Sequence, residues 1–351
     1  MILNFKELSL KSIKYRKTIL EIIYNGGAGH TAGSLSCIDI LNVLYNNILD
    51  ITPDNFNSIN RNRYIQSKGH SVEALYTVLS DKGFFSFNEL KTLNNFSSHF
   101  IGHPTRKVRG IEHNTGALGH GLSVAVGIAI ANKLNNNNYK VFTLLGDGEL
   151  SEGSVWEALN SASKYHLDNL IIIIDRNKLQ ITGKTEEVNP IEPLSEKFKA
   201  FGVEVKEVIG NDLNQLNDIF NQIPFTKDKP SLIIANTIKG KGISFIENVV
   251  KWHHKVPTKD ETGQYIKPVY DPKTRTYTSG FETWKATDPK EADWLEKMKF
   301  DNPMQYANYM QLNYNPRTGD FTKRPDDGPR AEGVASIPLW QQQGFNSYDD
   351  W

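Results

Sequence analysis

Two short apolar runs, 141–145 (Val-Phe-Thr-Leu-Leu) and 170–174 (Leu-Ile-Ile-Ile-Ile), lie one helix apart in the chain. Each has the length of a strand and is apolar at successive positions, as a strand buried on both faces must be. Parallel strands need a crossover between them, so strand, helix and strand read as a βαβ unit. Ligands of such sheets sit at the carboxyl ends of the strands. The first run enters Gly146-Asp147-Gly148, and the second runs through Asp175-Arg176 to Asn177. Each strand therefore ends near an oxygen-bearing side chain, Asp147 or Asn177.

The rest of the chain supports the same architecture up to about residue 256. Helical periodicity predicts helices over 5–24, 36–48, 71–82, 87–96, 123–134, 195–201 and 213–223. Strands are expected within 61–67 and over 203–208 and 231–237. Residues 25–33 read as a glycine-rich break around His30, and 99–121 as a long functional loop rich in His, Gly and Pro. Alternating strands and helices give an α/β fold, a doubly wound parallel sheet with helices on both faces. No internal repeat is visible. From residue 257 to 351 the chain turns polar and aromatic without a long period, an irregular extension with a short helix expected over 288–299. Its tryptophans, Trp284, Trp294, Trp340 and Trp351, favour an arm that docks over a free tail.

The 40 basic and 40 acidic residues cancel, which gives no basis for nucleic-acid or acidic-membrane partners. One cysteine, Cys37, rules out an internal disulfide framework and suits a cytoplasmic setting. No signal peptide is evident, and the densest apolar run is far too short to cross a bilayer.

The strand-end pair invites a magnesium-bound diphosphate. Magnesium takes hard oxygen ligands and completes its shell with phosphate and water. Asp147 offers a carboxylate, Asn177 an amide oxygen, and the turn beyond it a carbonyl, expected at Leu179. Gly146 and Gly148 let backbone approach an anion closely, and helix amides near Ser151 can face it. A Gly-Asp-Gly after a strand is often only a turn. The matching strand with Asn177 raises the cofactor reading above that.

The motif from Gly146-Asp147-Gly148 to Asn177 resembles the thiamine-diphosphate motif. The flanking residues 146–158 and 167–183 resemble transketolases, in particular the N-terminal subunit of split bacterial transketolases, over about residues 10 to 257. Gly29-His30, Ser67-Lys68-Gly69-His70, Gly102-His103-Pro104 and Trp252-His253 match the family's histidine positions. The resemblance implies catalytic roles for His30, His103 and His253 over the sugar, and cofactor binding by His70, Gly116, Leu118, Gly146, Asp147, Gly148, Glu152 and Asn177. It further implies thiamine diphosphate with Mg2+ (or Ca2+ or Mn2+) on Asp147, Asn177 and Leu179. Imidazole suits such work because it donates, accepts and titrates near neutrality. Two residues depart from the family pattern: His120, where Gln is usual, and His254, where Gly is usual; the family register turns His253 toward the substrate.

In this family the glutamate that activates the cofactor, and most phosphate-binding residues, belong to a pyrimidine-binding domain. Nothing after 257 resembles one. Residues 1–256 are thus expected to form the diphosphate-binding domain, inactive alone, and to join a C-terminal pyrimidine-binding subunit in an α2β2 assembly, with Glu152 facing the partner. The expected reaction moves a two-carbon ketol unit from a ketose phosphate to an aldose phosphate. A related transfer on a specialised sugar, such as a sulfosugar or a nucleotide-activated sugar, is the alternative. A non-catalytic regulatory subunit is the least favoured.

Overall fold

The computed structural model describes residues 2–258 and, beyond them, the strands Val269–Asp271, Thr276–Thr278, Thr283–Lys285, Tyr314–Asn315 and Asp320–Phe321. Contacts divide the chain into Met1–Lys267 and Pro268–Trp351. In the second unit, Thr276–Thr278 pairs antiparallel with Val269–Asp271 and with Thr283–Lys285, and Tyr314–Asn315 pairs with Asp320–Phe321. The helix expected over 288–299 and the side chains of Trp284, Trp294, Trp340 and Trp351 lie outside the described residues.

The first unit holds a five-stranded sheet. Its strands are β1 (Arg63–Gln66), β2 (Val141–Gly146), β3 (Leu170–Arg176), β6 (Glu204–Ile209) and β7 (Ser231–Asn236). A two-stranded hairpin, β4 (Leu179–Gln180) and β5 (Gly183–Lys184), follows β3. The sheet order is β1-β2-β3-β7-β6, and every pair is parallel. Gly146 stands opposite Asp175, and Asp175 opposite Ala235. Three strands therefore finish level, which brings their following turns together.

The helices are α1 (Phe5–Gly26), α2 (Thr31–Val43), α3 (Val72–Asp81), α4 (Phe87–Leu90), α5 (His120–Leu134), α6 (Gly153–Lys164), α7 (Thr185–Val188), α8 (Leu194–Ala200) and α9 (Leu213–Phe220). Successive strand residues point to opposite faces. Phe142, Leu144, Ile171, Ile173 and Ile233 join the core made with α1, α2, α3 and α9. Val141, Leu145, Ile172, Ile174, Leu232 and Ile234 join the core made with α5, α6 and α8. This explains the unbroken apolar runs, since each apolar residue of β3 has a core to enter. No helix among the described residues is long and apolar enough to cross a membrane.

Local chemistry sets the helix ends, and three differ from expectation. A capping box starts α1: the Asn4 side chain accepts from the Glu7 amide at 3.1 Å, and the Glu7 carboxylate from the Asn4 amide at 2.9 Å. The helix expected from 36 begins at Thr31 instead. Ala32 and Gly33 are not breakers there. All thirteen residues of α2 are buried, and small residues let its first turn approach Lys68 and His70. A π-turn, Leu44–Ile48, continues it. The helix expected over 87–96 is a single turn, α4, because the chain goes left-handed at Asn94 (φ 62°). A 3-10 turn, Gly148–Ser151, precedes α6, so the helix amides expected near Ser151 begin at Gly153.

Helix α5 contains a contrast that can be measured. A Cβ on Gly121 would stand 2.6 Å from the Ser67 Cα, whereas one on Gly127 would meet nothing within 4 Å. Gly121→Ala should cost about 1–3 kcal/mol through overpacking. Gly127→Ala should be neutral or stabilise by up to about 1 kcal/mol through helix propensity. Urea unfolding of the chain reads both, and equal losses would show that α5 does not lie on β1 as described.

Candidate functional site

The ends of β1, β3 and β7 meet at one buried carboxylate. Asp175 accepts from the Lys68 ammonium, from Ser36 Oγ at 2.6 Å, from the Thr237 hydroxyl and from Asn177 Nδ2 at 3.2 Å. Lys68 also donates to the Gly33 carbonyl at 2.8 Å. Burial opposes both charges, yet Lys68 and the hydroxyls hold Asp175 below the usual carboxylate range, and Asp175 holds Lys68 above the usual amine range. Both partners thus stay ionised.

Around this pair stand the expected oxygen ligands. Asp147 Oδ1 accepts from the Gly148 amide at 2.9 Å, and Oδ2 from Arg176 Nη1 at 3.1 Å and from the Lys178 amide. Burial, then the neighbouring Asp175, push the Asp147 carboxyl upward. Asn177 Oδ1 accepts from the Leu179 amide at 3.2 Å. The Leu179 carbonyl accepts from the buried Lys239 ammonium at 2.7 Å. Two strand-end turns therefore carry the three oxygens, and two of these, on Asp147 and Leu179, already face a positive charge, as cation ligands should. Among the described residues no group of three His, Cys, Asp or Glu side chains is arranged to hold an ion. A metal here must use an amide and a carbonyl beside one carboxylate, a hard donor set that suits magnesium with phosphate.

The histidines form a second group. The His30 ring centroid lies 5.1 Å from His70, 6.2 Å from His103, 5.6 Å from His253 and 4.6 Å from His254. His70 and His253 stack at 5.4 Å. His30 occupies the N-cap of α2, where its amide donates to the Glu73 carboxylate at 3.2 Å, and Ser34 Oγ donates to the same carboxylate at 2.7 Å. Burial pushes that carboxyl up to about 7. His103 is held through its carbonyl by the Tyr76 hydroxyl at 3.2 Å and packs beside Gly116, whose φ is 144°. Lys239 Nζ stands 2.9 Å from His253 Nδ1. An ammonium can only donate, so Nδ1 accepts and Nε2 carries the proton. Burial, with neighbouring imidazoles and lysines, drives His30 and His253 down to about 3 and His70 well below its ordinary value, while burial alone lowers His103.

A third brace organises the glycine-rich loop. The buried Glu149 accepts from the Gly119 amide at 2.8 Å, from the Gly146 amide at 3.0 Å and from the Ser67 hydroxyl. Gly119 has φ 81°, and a Cβ on it would collide with Glu152 at 2.6 Å. Leu118 is half-buried in this loop, while Glu152 and His120 are exposed beside it.

His30, His70, His103 and His253 thus gather in one cluster, with His254 added. Asp147, Asn177, Leu179, Gly146 and Gly148 gather at the strand ends. Lys239 links the two groups by touching both Leu179 and His253. The sequence reading missed Lys239, Asp175, Glu73 and Glu149, and gave Lys68 no role. Lys239 follows β7 as Asn177 follows β3, so the strand-end rule could have found it. Glu73 and Glu149 sit inside helical stretches, and no local signal marks them.

Residues 10–312 match the family model described as "Transketolase, thiamine diphosphate binding domain". The chain is 47% identical over 267 residues to an apulose-4-phosphate transketolase subunit of Phocaeicola vulgatus, covering 76% of this chain and 95% of that one. It is 41% identical over 246 residues to the 6-deoxy-6-sulfo-D-fructose transketolase subunit SqwG of a Clostridium species, covering 70% and 90%. The transketolase structure from Campylobacter jejuni superposes with a TM-score of 0.71 at 32% identity, over 74% of this chain and 42% of that one.

The lowered histidines fix a pH dependence. The unfolded chain binds protons near pH 6.5 that folded His30 and His253 refuse until about pH 3. Stability present above pH 6.5 is lost as pH falls through that window, by up to about 1.4 kcal/mol per unit for each proton. Glu73 works oppositely between its ordinary 4.5 and about 7, losing stability as pH rises. Four lowered histidines, His30, His70, His103 and His253, outnumber the three raised carboxyls of Glu73, Asp147 and Glu149, so the urea midpoint should drop from pH 7 to 5.5, and Glu73→Gln should steepen the drop. A midpoint that rises on acidification would contradict neutral, buried imidazoles.

Proposed function

Because the chain belongs to the transketolase family of thiamine-diphosphate-dependent transferases, we propose that it is the diphosphate-holding subunit of a two-chain transketolase. The pair would move a two-carbon ketol unit from a ketose phosphate to an aldose phosphate. The observation that carries this is the joined site: hard oxygen donors and buried lysines on one side of Lys239, and neutral imidazoles on the other.

In this reading Asp147, Asn177 and the Leu179 carbonyl hold the divalent ion, which would displace Lys239 from that carbonyl. Gly146, Gly148, Gly116, Leu118, His70 and Lys68 surround the diphosphate. When bound, the cofactor supplies the carbon nucleophile that takes up the two-carbon unit. His253 presents Nε2–H to a sugar oxygen, and neutral His30 and His103 can accept or return a hydroxyl proton.

The partner is proposed to be a C-terminal, pyrimidine-binding subunit, in an α2β2 assembly. Two relatives that this chain spans almost end to end are themselves named as transketolase subunits, and the chain matches only 42% of the Campylobacter jejuni transketolase. The exposed side of α5, with Ser123, Gly127, Ala131 and Leu134, suits a close neighbouring chain, and Glu152 is exposed beside the glycine loop. Residues 1–256 would form the cofactor domain and 257–351 an arm docking on the partner, in the cytoplasm.

The names of the relatives favour the specialised-sugar alternative for the donor, apulose 4-phosphate or a sulfonated fructose, over the common pentose phosphates. Reconstituted with its partner, the chain should turn over apulose 4-phosphate or 6-deoxy-6-sulfofructose faster than xylulose 5-phosphate. Neither chain alone should be active. Asp147→Ala should lower kcat/KM by more than about 100-fold. EDTA should remove activity, and Mg2+, Ca2+ or Mn2+ restore it. Full activity in the Asp147 variant would instead support a non-catalytic, regulatory role.

A further inference from the structure

We infer that His254 is a specificity-determining residue for this transfer: its imidazole covers one side of His30 and limits the length of sugar phosphate that can pass. The inference rests on the ketol-transfer reading and adds a size rule to it. The two adjacent histidines sit differently. His253 is half-buried, stacked on His70 and fixed by Lys239 at 2.9 Å. His254 is exposed, yet it is the imidazole nearest His30, at 4.6 Å and 70° between planes. That is an edge-to-face contact, close enough to deny the covered part of His30 to a ligand.

Exposed side chains usually sample several positions, but this one rides on a fixed backbone. Trp252 before it is buried at 1% exposure. After it, the Lys255 carbonyl accepts from Thr31 Oγ1 at 2.6 Å, and Thr31 is the residue following His30. One hydrogen bond therefore ties the backbone just after His254 to the side chain just after His30, so the two rings ride on joined segments. His30 Nδ1 is buried, and among the described residues no group hydrogen-bonds it. It is a polar atom left without a partner, and the exposed His254 stands against the same ring. A ligand extending that way meets an imidazole wall after a short distance, so short ketose phosphates fit better than long ones.

The test uses the reconstituted pair, with five-carbon and seven-carbon ketose phosphates as donors. His254→Gly should raise the ratio of kcat/KM for seven over five carbons by about ten-fold or more, within what a pocket wall typically contributes. The change should appear mainly in KM. His254→Asn, smaller but still able to hydrogen-bond, should give a smaller rise. Thiamine diphosphate affinity, read by tryptophan quenching, and the unfolding midpoint should not move, which separates a channel wall from a structural prop. A ratio that stays constant, or a parallel loss on both donors, would overturn the size rule alone. A wild-type pair that turns over no ketose phosphate would overturn the ketol-transfer reading and this inference together.

Discussion

The buried pair of Lys68 and Asp175 is the contact on which the rest of the site depends. It joins the end of β1 to the end of β3 and collects Ser36 from α2 and Thr237 from beyond β7. Removing either partner of such a pair leaves an unpaired buried charge, at a cost of about 3–5 kcal/mol. The more specific consequence is orientation. Asp175 takes the Nδ2 end of Asn177, which leaves the oxygen of that amide on the Leu179 side, among the candidate ligand atoms. A substitution that removed the Asp175 charge would free this amide to flip, so the pair sets the donor chemistry as well as the packing.

Charge then passes from this pair to the imidazoles. Lys68 and Lys239 both depress His30, His70 and His253, on top of burial. A cluster of imidazolium ions so close to two ammonium groups would repel itself strongly. The stable state has neutral rings, and a neutral ring both donates and accepts. Lysines that suit an anionic diphosphate thereby also tune the residues that would handle sugar hydroxyls. Lys239 itself is lowered to about 8, by burial first and then by Lys68, so its own charge is held with little to spare while that of Lys68 is secure.

The sheet was legible because it obeys a short-range rule. Residues 170–174 can be apolar at every position only if both faces are covered, and the two cores show that they are. The strand-end rule located Asp147 and Asn177 for the same reason. Glu73 and Glu149 were illegible, since their partners, His30 and Ser34 for one and Ser67, Gly119 and Gly146 for the other, lie far away in sequence or in loops. A glutamate within a helical stretch reads as a solvated face until its partners are known. The start of α2 was misread on similar grounds. Gly29 and Gly33 signal a break locally, but Gly33 makes room for Lys68, a long-range demand.

The same long-range braces bear on what a partner chain can add. Glu149 fixes Gly119 and Gly146 from within this chain, and Glu73 fixes His30. The glycine loop and the histidine cluster are therefore set by intrachain bonds, with the apolar cores closed on both sides of the sheet. What remains open is surface: the outer side of α5, Glu152 and the exposed edge of His254. In the proposed two-chain reading, a neighbouring chain meeting that surface would find the glycine loop and histidine cluster already formed. In that reading its contribution would be chemical groups brought to the far side of the ligand, with the cost of ordering this side met during folding.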